Sequence, residues 1–320
     1  MVVNSNDGGS CSILIAGASG VVGRTLIQLL GEQGYSICCL THQQRTDAQD
    51  PSGSGLRWES WKPSTDPDAM ELRRLAALIN RHSVVINLAG ASLADGRLDK
   101  THQARLVKSR LDATTTLTAA AKLADHPPMV WVQASAVGYY GHTGEARIDE
   151  AAPCGSLFLS TLCHRWEGAI AELPKSTRVA ILRIGLVLDP TAPAWQKLLL
   201  PIKLGIAGPL GSGQQWIAWI DADDLGSIVC WILRSPTAQG IYNATAPEPI
   251  RQVELVKTTA KRLHRPAILR APAFGLRLLL GRVADELLLA SCRAIPKRLQ
   301  DDGFQFRYTS FDQSLPRLVA

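Results

Sequence analysis

The chain has 320 residues, of which 46% are apolar and 19% charged. That is enough for one large domain or two unequal ones with a sizeable core, and it excludes disorder as the main state. The longest apolar stretches carry arginine, as in AFGLRLLLG, and fall well short of the ~20 residues that span a bilayer. The formal net charge of +6 resides in the last quarter, where residues 251–320 hold 13 basic and 6 acidic side chains. No clustered basic run or nucleic-acid motif accompanies that excess, so solvated arginines on amphipathic helices are expected there. The first ten residues, MVVNSNDGGS, lack the basic start and apolar run of a signal peptide, which makes the cytoplasm the expected compartment.

In chain order, residues 12–16 (SILIA) read as a short apolar strand. GASGVVG follows, and then a stretch in which Val22, Leu26, Leu29 and Leu30 repeat at helical spacing. Residues 35–40 (YSICCL) form a second apolar strand, which completes a βαβ unit. Further strands are expected at 83–90, 129–136, 178–188 and 241–244, with helices at 103–124, 159–172 and 224–233. Continuously apolar strands separated by helices imply a parallel sheet covered on both faces. The fold expected is therefore α/β: a doubly wound, Rossmann-like parallel sheet over 11–190, to which 222–246 returns. Residues 191–221 and 247–320 form a smaller, basic C-terminal substrate region.

Gly17, Gly20 and Gly23 stand as G-x-x-G-x-x-G between the first strand and the first helix. Glycines there permit a tight turn and close approach of a pyrophosphate, and the helix start offers free N–H groups and a positive dipole end. Dinucleotide binding is the expectation. The second strand ends in Leu40-Thr41-His42-Gln43-Gln44-Arg45, with no carboxylate until Asp47. A carboxylate at that point would hold the ribose 2′-hydroxyl of NAD, so its absence favours NADP, with NAD the lesser alternative. The seven cysteines include no C-x-x-C and the seven histidines no H-E-x-x-H, so neither a disulfide framework nor a metal site is expected.

Several longer motifs accompany the glycines: NLAG at 87–90, SR at 109–110, SAVGYYG at 135–141, LRIGLVL at 182–188, GPLGSGQQWIAWIDADDL at 208–225 and NATAPEP at 243–249. Together with residues 266–303, they resemble the epimerase-family proteins of the extended or atypical short-chain dehydrogenase/reductase superfamily. The resemblance implies that Gly17, Ala18, Ser19, Gly20, Val21, Val22 and Gly23 hold the cofactor pyrophosphate. It places Thr41 and His42 beside the adenosine ribose, and Leu88, Ala89 and Gly90 beneath the adenine ribose. Arg110 and Arg105 would face the cofactor from the following helix, and the Leu188 backbone would approach the nicotinamide. The loop 205–216 would close over a substrate. Where the family reads WIH before the acidic pair, this chain has Trp219-Ile220-Asp221.

One departure bears on the chemistry. Dehydrogenases of this superfamily use Tyr-x-x-x-Lys, in which a lysine lowers the pKa of a phenol that moves the proton. None of the five tyrosines has lysine four positions on, and the expected dyad positions hold Leu159 and Cys163. Ser135, Tyr139 and Tyr140 remain as candidate catalytic residues, the tyrosines either donating a proton or only lining the pocket. Cys163-His164 reads as structural, because adjacent helical residues point apart, and Glu167 is expected to pair with an arginine. Two functional readings follow, with a nucleic-acid-binding protein as a weaker third. One is an NADP-dependent reductase or epimerase of a carbonyl or sugar-like small molecule, with no membrane and no nucleic acid as partner. The other is a non-catalytic NADP(H) sensor that presents its basic surface to a partner.

Overall fold

The computed structural model describes residues 12–42, 56–93, 95 and 98–320; Arg45 and Asp47 lie outside them. The first half runs β1 (Ser12–Ala16), α1 (Val21–Glu32), β2 (Ser36–Thr41), β3 (Arg57–Ser60), α2 (Ala69–Ile79), β4 (Val84–Asn87), α3 (Lys100–Leu123) and β5 (Val130–Ala136). A 3-10 turn at Val137–Tyr140 leads to β6 (Arg147–Ile148), α4 (Phe158–Gly168), β7 (Arg178–Ile184) and β8 (Leu186–Leu188). Then come α5 (Pro193–Lys203), β9 (Trp216–Ile217), β10 (Trp219–Asp221), α6 (Ala222–Arg234), β11 (Gly240–Ala244), β12 (Ile250–Arg251) and α7 (Gln252–Arg262). The chain ends through α8 (Ala273–Leu280), a π turn at Ala284–Leu288, β13 (Arg293–Ala294), α9 (Lys297–Asp301) and α10 (Phe311–Leu318).

Seven strands form one sheet in the order β11-β7-β5-β4-β1-β2-β3, and every pairing in it is parallel. The order reverses between β1 and β4. Open α/β sheets bind ligands at that point, beyond the carboxyl ends of the strands. The strands are apolar throughout because both faces are covered. Leu26 and Leu30 of α1 and Ile228, Val229 and Ile232 of α6 pack on one face. Leu75 and Ile79 of α2 with Leu117, Ala120 and Ala121 of α3 pack on the other. A third cluster joins Trp195 and Leu199 of α5, Trp219, Leu255 of α7, and Phe311 and Leu315 of α10.

The run 178–188 is two strands, not one. A Cβ on Gly185 would lie 2.7 Å from the Ala218 carbonyl oxygen. The chain bends there, and β8 leaves the main sheet to pair in parallel with β10. Among the described residues, no helix is long and apolar enough to cross a membrane.

Candidate functional site

Gly17 adopts φ +84°, the left-handed region, and a Cβ on it would lie 2.6 Å from the Leu88 backbone. It lets the turn after β1 touch the loop after β4. A Cβ on Gly23 would lie 2.5 Å from the Ala18 oxygen, so this glycine seats α1 against the turn. Gly20 differs from both. Its φ is −70°, it is exposed, and a Cβ on it would meet nothing closer than the Gly17 oxygen at 3.5 Å. Packing within the protein therefore does not require a glycine there. Gly20 is also the N-cap of α1, with no side-chain cap and no acidic residue in the first turn. First-turn N–H groups left in this way suit an anion. The turn Gly17–Gly23, with Ser19 exposed on it, fits a pyrophosphate.

The flanking residues expected beside the cofactor gather at the same sheet edge. Thr41 ends β2 and accepts from the Trp61 N–H at 3.0 Å, while the His42 ring stacks on Trp61 at 6.0 Å. The Leu88 N–H bonds the Ala16 carbonyl at 2.8 Å, which fixes the β4 exit beside the glycine turn. A buried network stands behind it: Asn87 bonds Thr114, Gln133 and the Ala89 N–H, and Thr114 also accepts from Trp166. Ser109 accepts from the Ala91 N–H, and Arg110 donates to the Ala91 carbonyl at 3.1 Å. The SR pair thus clamps the loop that carries Leu88, Ala89 and Gly90. Arg110 lies over Trp166, burial lowers its pKa, and no ion pair among the described residues includes it. Arg105 behaves differently. It is exposed and bonds His102 and Asp95, the latter further along the same loop, and not the Leu88–Ala91 segment.

Ser135 is the penultimate residue of β5, near the sheet's carboxyl edge, but it is buried and its hydroxyl is committed, donating to Glu167 Oε1 at 2.6 Å. Glu167 projects from α4 and accepts from Arg183 Nε at 2.9 Å and Nη2 at 2.8 Å. Arg183 lies near the carboxyl end of β7 with its side chain 2% exposed, so the pair is buried and bidentate. Burial alone would lower the Arg183 pKa; the bonds to Glu167 and Tyr140 outweigh it and hold the guanidinium above its ordinary value. Arg183 also donates to the Tyr140 hydroxyl at 3.0 Å, and that hydroxyl donates to Asn243 Oδ1 at 2.7 Å. Burial pushes the Tyr140 phenol up to about 12. Tyr140 faces the interior, and its one proton is already committed.

Tyr139 packs edge-to-face on Tyr140, with ring centroids 5.4 Å apart, and meets the same guanidinium. Its ring sits 3.4 Å from Arg183 Cζ, it is half-buried, and among the described residues its hydroxyl makes no hydrogen bond. The positions where the dyad would stand are packed beneath this turn. A Cβ on Gly138 would touch Leu159 at 3.3 Å, and burial pushes the Cys163 thiol up to about 11. His164 is exposed while Cys163 is buried, so the two point apart.

Leu188 ends β8 wholly buried, backbone included, against Trp195 and Trp219, so the expected approach of its backbone to a nicotinamide is closed off here. The 205–216 loop is anchored at both ends. Leu210 N–H donates to Gln252, Gln215 donates to the Leu210 and Leu288 carbonyls, and Trp216 donates to Glu145 between the Arg251 and Arg293 guanidiniums. Asp221 is wholly buried. It caps α6 and accepts from Ser314 and Arg317, which makes it a fastener for the C-terminal helix.

Residues 13–163 match the NAD dependent epimerase/dehydratase family, and residues 271–318 match a domain of unknown function. An Arabidopsis thaliana protein described as an epimerase family protein SDR39U1 homolog is 32% identical over 316 residues, covering 96% of this chain and 86% of its own. The chain belongs to this epimerase family. The human epimerase family protein SDR39U1 is 30% identical over 312 residues, covering 96% of this chain and 99% of its own. The crystal structure of the human protein with NADPH matches at a TM-score of 0.84 and 29% identity, over 96% of this chain and 99% of that one. A nucleoside-diphosphate sugar epimerase from Corynebacterium glutamicum matches at 0.74 and 27%, over 98% of this chain and 59% of that one. The UDP-glucose 4-epimerase of Thermus thermophilus, at 17% identity and a TM-score of 0.73, shares the fold alone.

Within this epimerase family chain, sequence reasoning passes over two residues of the site. Arg183 is one, and its signal is a cation inside VAILRIGLVL, a place that only a paired charge tolerates. Glu286 is the other. Its two oxygens accept from the Phe158 and Leu159 N–H groups and so cap α4 from 127 to 128 residues away, which no local pattern reveals.

Proposed function

We propose that this protein binds NADP(H) across β1 and β4 and reduces the carbonyl of a small molecule, with Tyr139 as the proton donor. Gly17–Gly23 would hold the diphosphate, Thr41 and His42 the adenosine end, Leu88–Gly90 and Arg110 the ribose side, and the chain leaving β8 the nicotinamide end. The human relative solved with NADPH supports NADP over NAD, as does the absence of a carboxylate directly after Leu40. When bound, NADPH supplies a hydride.

The observation that carries the catalytic reading is Tyr139 lying face-on to Arg183 at 3.4 Å with its hydroxyl uncommitted. As negative charge grows on a substrate oxygen, the phenol gives up its proton and the guanidinium beneath it stabilises the phenolate left behind. Ser135 and Glu167 hold that guanidinium in place. Oxidation or epimerisation would instead begin by taking a proton from an alcohol, and no lysine stands beside the phenol to assist that. The packed dyad positions favour the sensor as a second reading.

A panel of carbonyl and sugar-nucleotide compounds with NADPH tests both. Tyr139→Phe should lower turnover by ~100-fold or more, the scale of a lost general acid, while leaving NADPH affinity unchanged. Full turnover in Tyr139→Phe would remove the donor assignment. Micromolar NADPH binding with no turnover of any compound would leave the sensor, and equal or tighter binding of NADH would overturn the preference for NADP.

A further inference from the structure

Arg24 lies in the first turn of α1 with an exposed side chain. Its Nη1 donates to the Ser19 carbonyl at 2.7 Å, inside the glycine turn itself, and its Nη2 reaches Thr191 Oγ1 at 3.4 Å. Thr191 stands three residues beyond Leu188, and its hydroxyl donates to Asp189 at 2.6 Å. One guanidinium thus spans from the turn over β1 to the segment leaving β8. Those are the two edges of the groove in which a dinucleotide would run from its diphosphate to its nicotinamide.

The local charges leave this cation for something outside the protein. No acid stands in the first turn of α1, and no ion pair among the described residues includes Arg24. The nearby carboxylates Asp189 and Asp221 are taken by Arg317, at 3.6 and 2.6 Å. Two of the five guanidinium N–H donors are used on neutral oxygens, so three remain for an anion. The side chain leans toward Thr191, not toward Thr41 and His42 at the end of β2. That direction places its charge on the nicotinamide side of the turn, over the diphosphate and away from a 2′-phosphate.

We propose that Arg24 is the counter-ion of the cofactor diphosphate and closes the groove over it; this rests on the dinucleotide reading of the site. The test is calorimetric titration of wild type, Arg24→Ala and Arg24→Lys with NADPH, NADH and 2′-AMP, the last of which carries a 2′-phosphate and no diphosphate. Arg24→Ala should weaken NADPH and NADH by the same factor, about 10- to 100-fold for a lost charge-assisted contact, and leave 2′-AMP unchanged. Arg24→Lys should fall between, because a point charge replaces the fork. Wild-type affinity for NADPH in a folded Arg24→Ala overturns the proposal and reduces Arg24 to a tie between Ser19 and Thr191. Loss of NADPH and 2′-AMP with NADH spared also overturns it and makes Arg24 the reader of the 2′-phosphate. Failure of the wild type to bind either dinucleotide would instead strike down the cofactor reading, and this assignment with it.

Discussion

A Cβ at Gly17 or Gly23 would press to within 2.6 Å of backbone, whereas one at Gly20 would meet nothing nearer than 3.5 Å. Backbone cannot yield as a flexible side chain can, so Gly17→Val and Gly23→Val should both fail to fold stably. Gly20→Val should lose no more than about 1 kcal/mol, the difference in N-cap preference, and yet abolish dinucleotide binding. Thermal melting and an NADPH titration on the three variants separate these outcomes; a Gly20→Val protein that binds as wild type would remove the cradle. Spacing alone marks the three glycines alike, and only their surroundings separate the two that packing demands from the one that it leaves open. The tyrosines teach the same lesson. Tyr139 and Tyr140 are adjacent in sequence, but the interior takes the Tyr140 hydroxyl through Arg183 and Asn243 and leaves that of Tyr139.

At the scale of elements, α4 and β7 are joined through Glu167 and Arg183. Glu167→Ala would leave a fully buried guanidinium without its counter-charge, a change that costs about 3–5 kcal/mol. Arg183→Met fills the space with apolar volume, and in the double variant neither charge of this pair remains. The double variant should therefore be more stable than Glu167→Ala alone, which a double-mutant cycle in denaturant measures. Additive losses would mean that the two side chains act separately. The apolar runs of β1, β2, β4, β5 and β7 make most of the sheet legible in the sequence, because a strand covered on both faces has little choice of residue. β3 is not legible. Its four residues, RWES, sit at the sheet edge and are half-buried or exposed, so no apolar pattern marks them. α2 leaves clearer traces in the Asp68 cap and in Leu72, Leu75 and Ile79, which are three or four residues apart.

In the molecule as a whole, residues 271–318 match a domain of unknown function, yet they are sewn into the rest at many points. Leu299 and Phe304 enter the cluster beneath β11, and β13 pairs with β6. Glu286 caps α4, the helix that carries Glu167. Asp224 of α6 accepts from the Arg307 and Tyr308 N–H groups at 2.8 and 2.9 Å, and Asp221 accepts from Ser314 and Arg317. Burial pushes both aspartate pKa values up, against the pull of those bonds. Ending the chain at residue 270 would remove the Arg307 and Tyr308 partners of Asp224 and the Ser314 and Arg317 partners of Asp221, and would uncover the apolar surfaces on which Leu299, Phe304, Phe311 and Leu315 pack. At about 1.5–3 kcal/mol for each large apolar side chain whose burial is lost, the loss is comparable to the ~5–15 kcal/mol that holds a whole domain folded. Residues 1–270 should therefore show no cooperative melting, and adding 271–320 as a separate peptide should not restore it at micromolar concentration. A truncated chain that melts cooperatively and still binds NADPH would show that the C-terminal segment is an appendage, and that the contacts of Asp221, Asp224 and Glu286 with it are dispensable to the site.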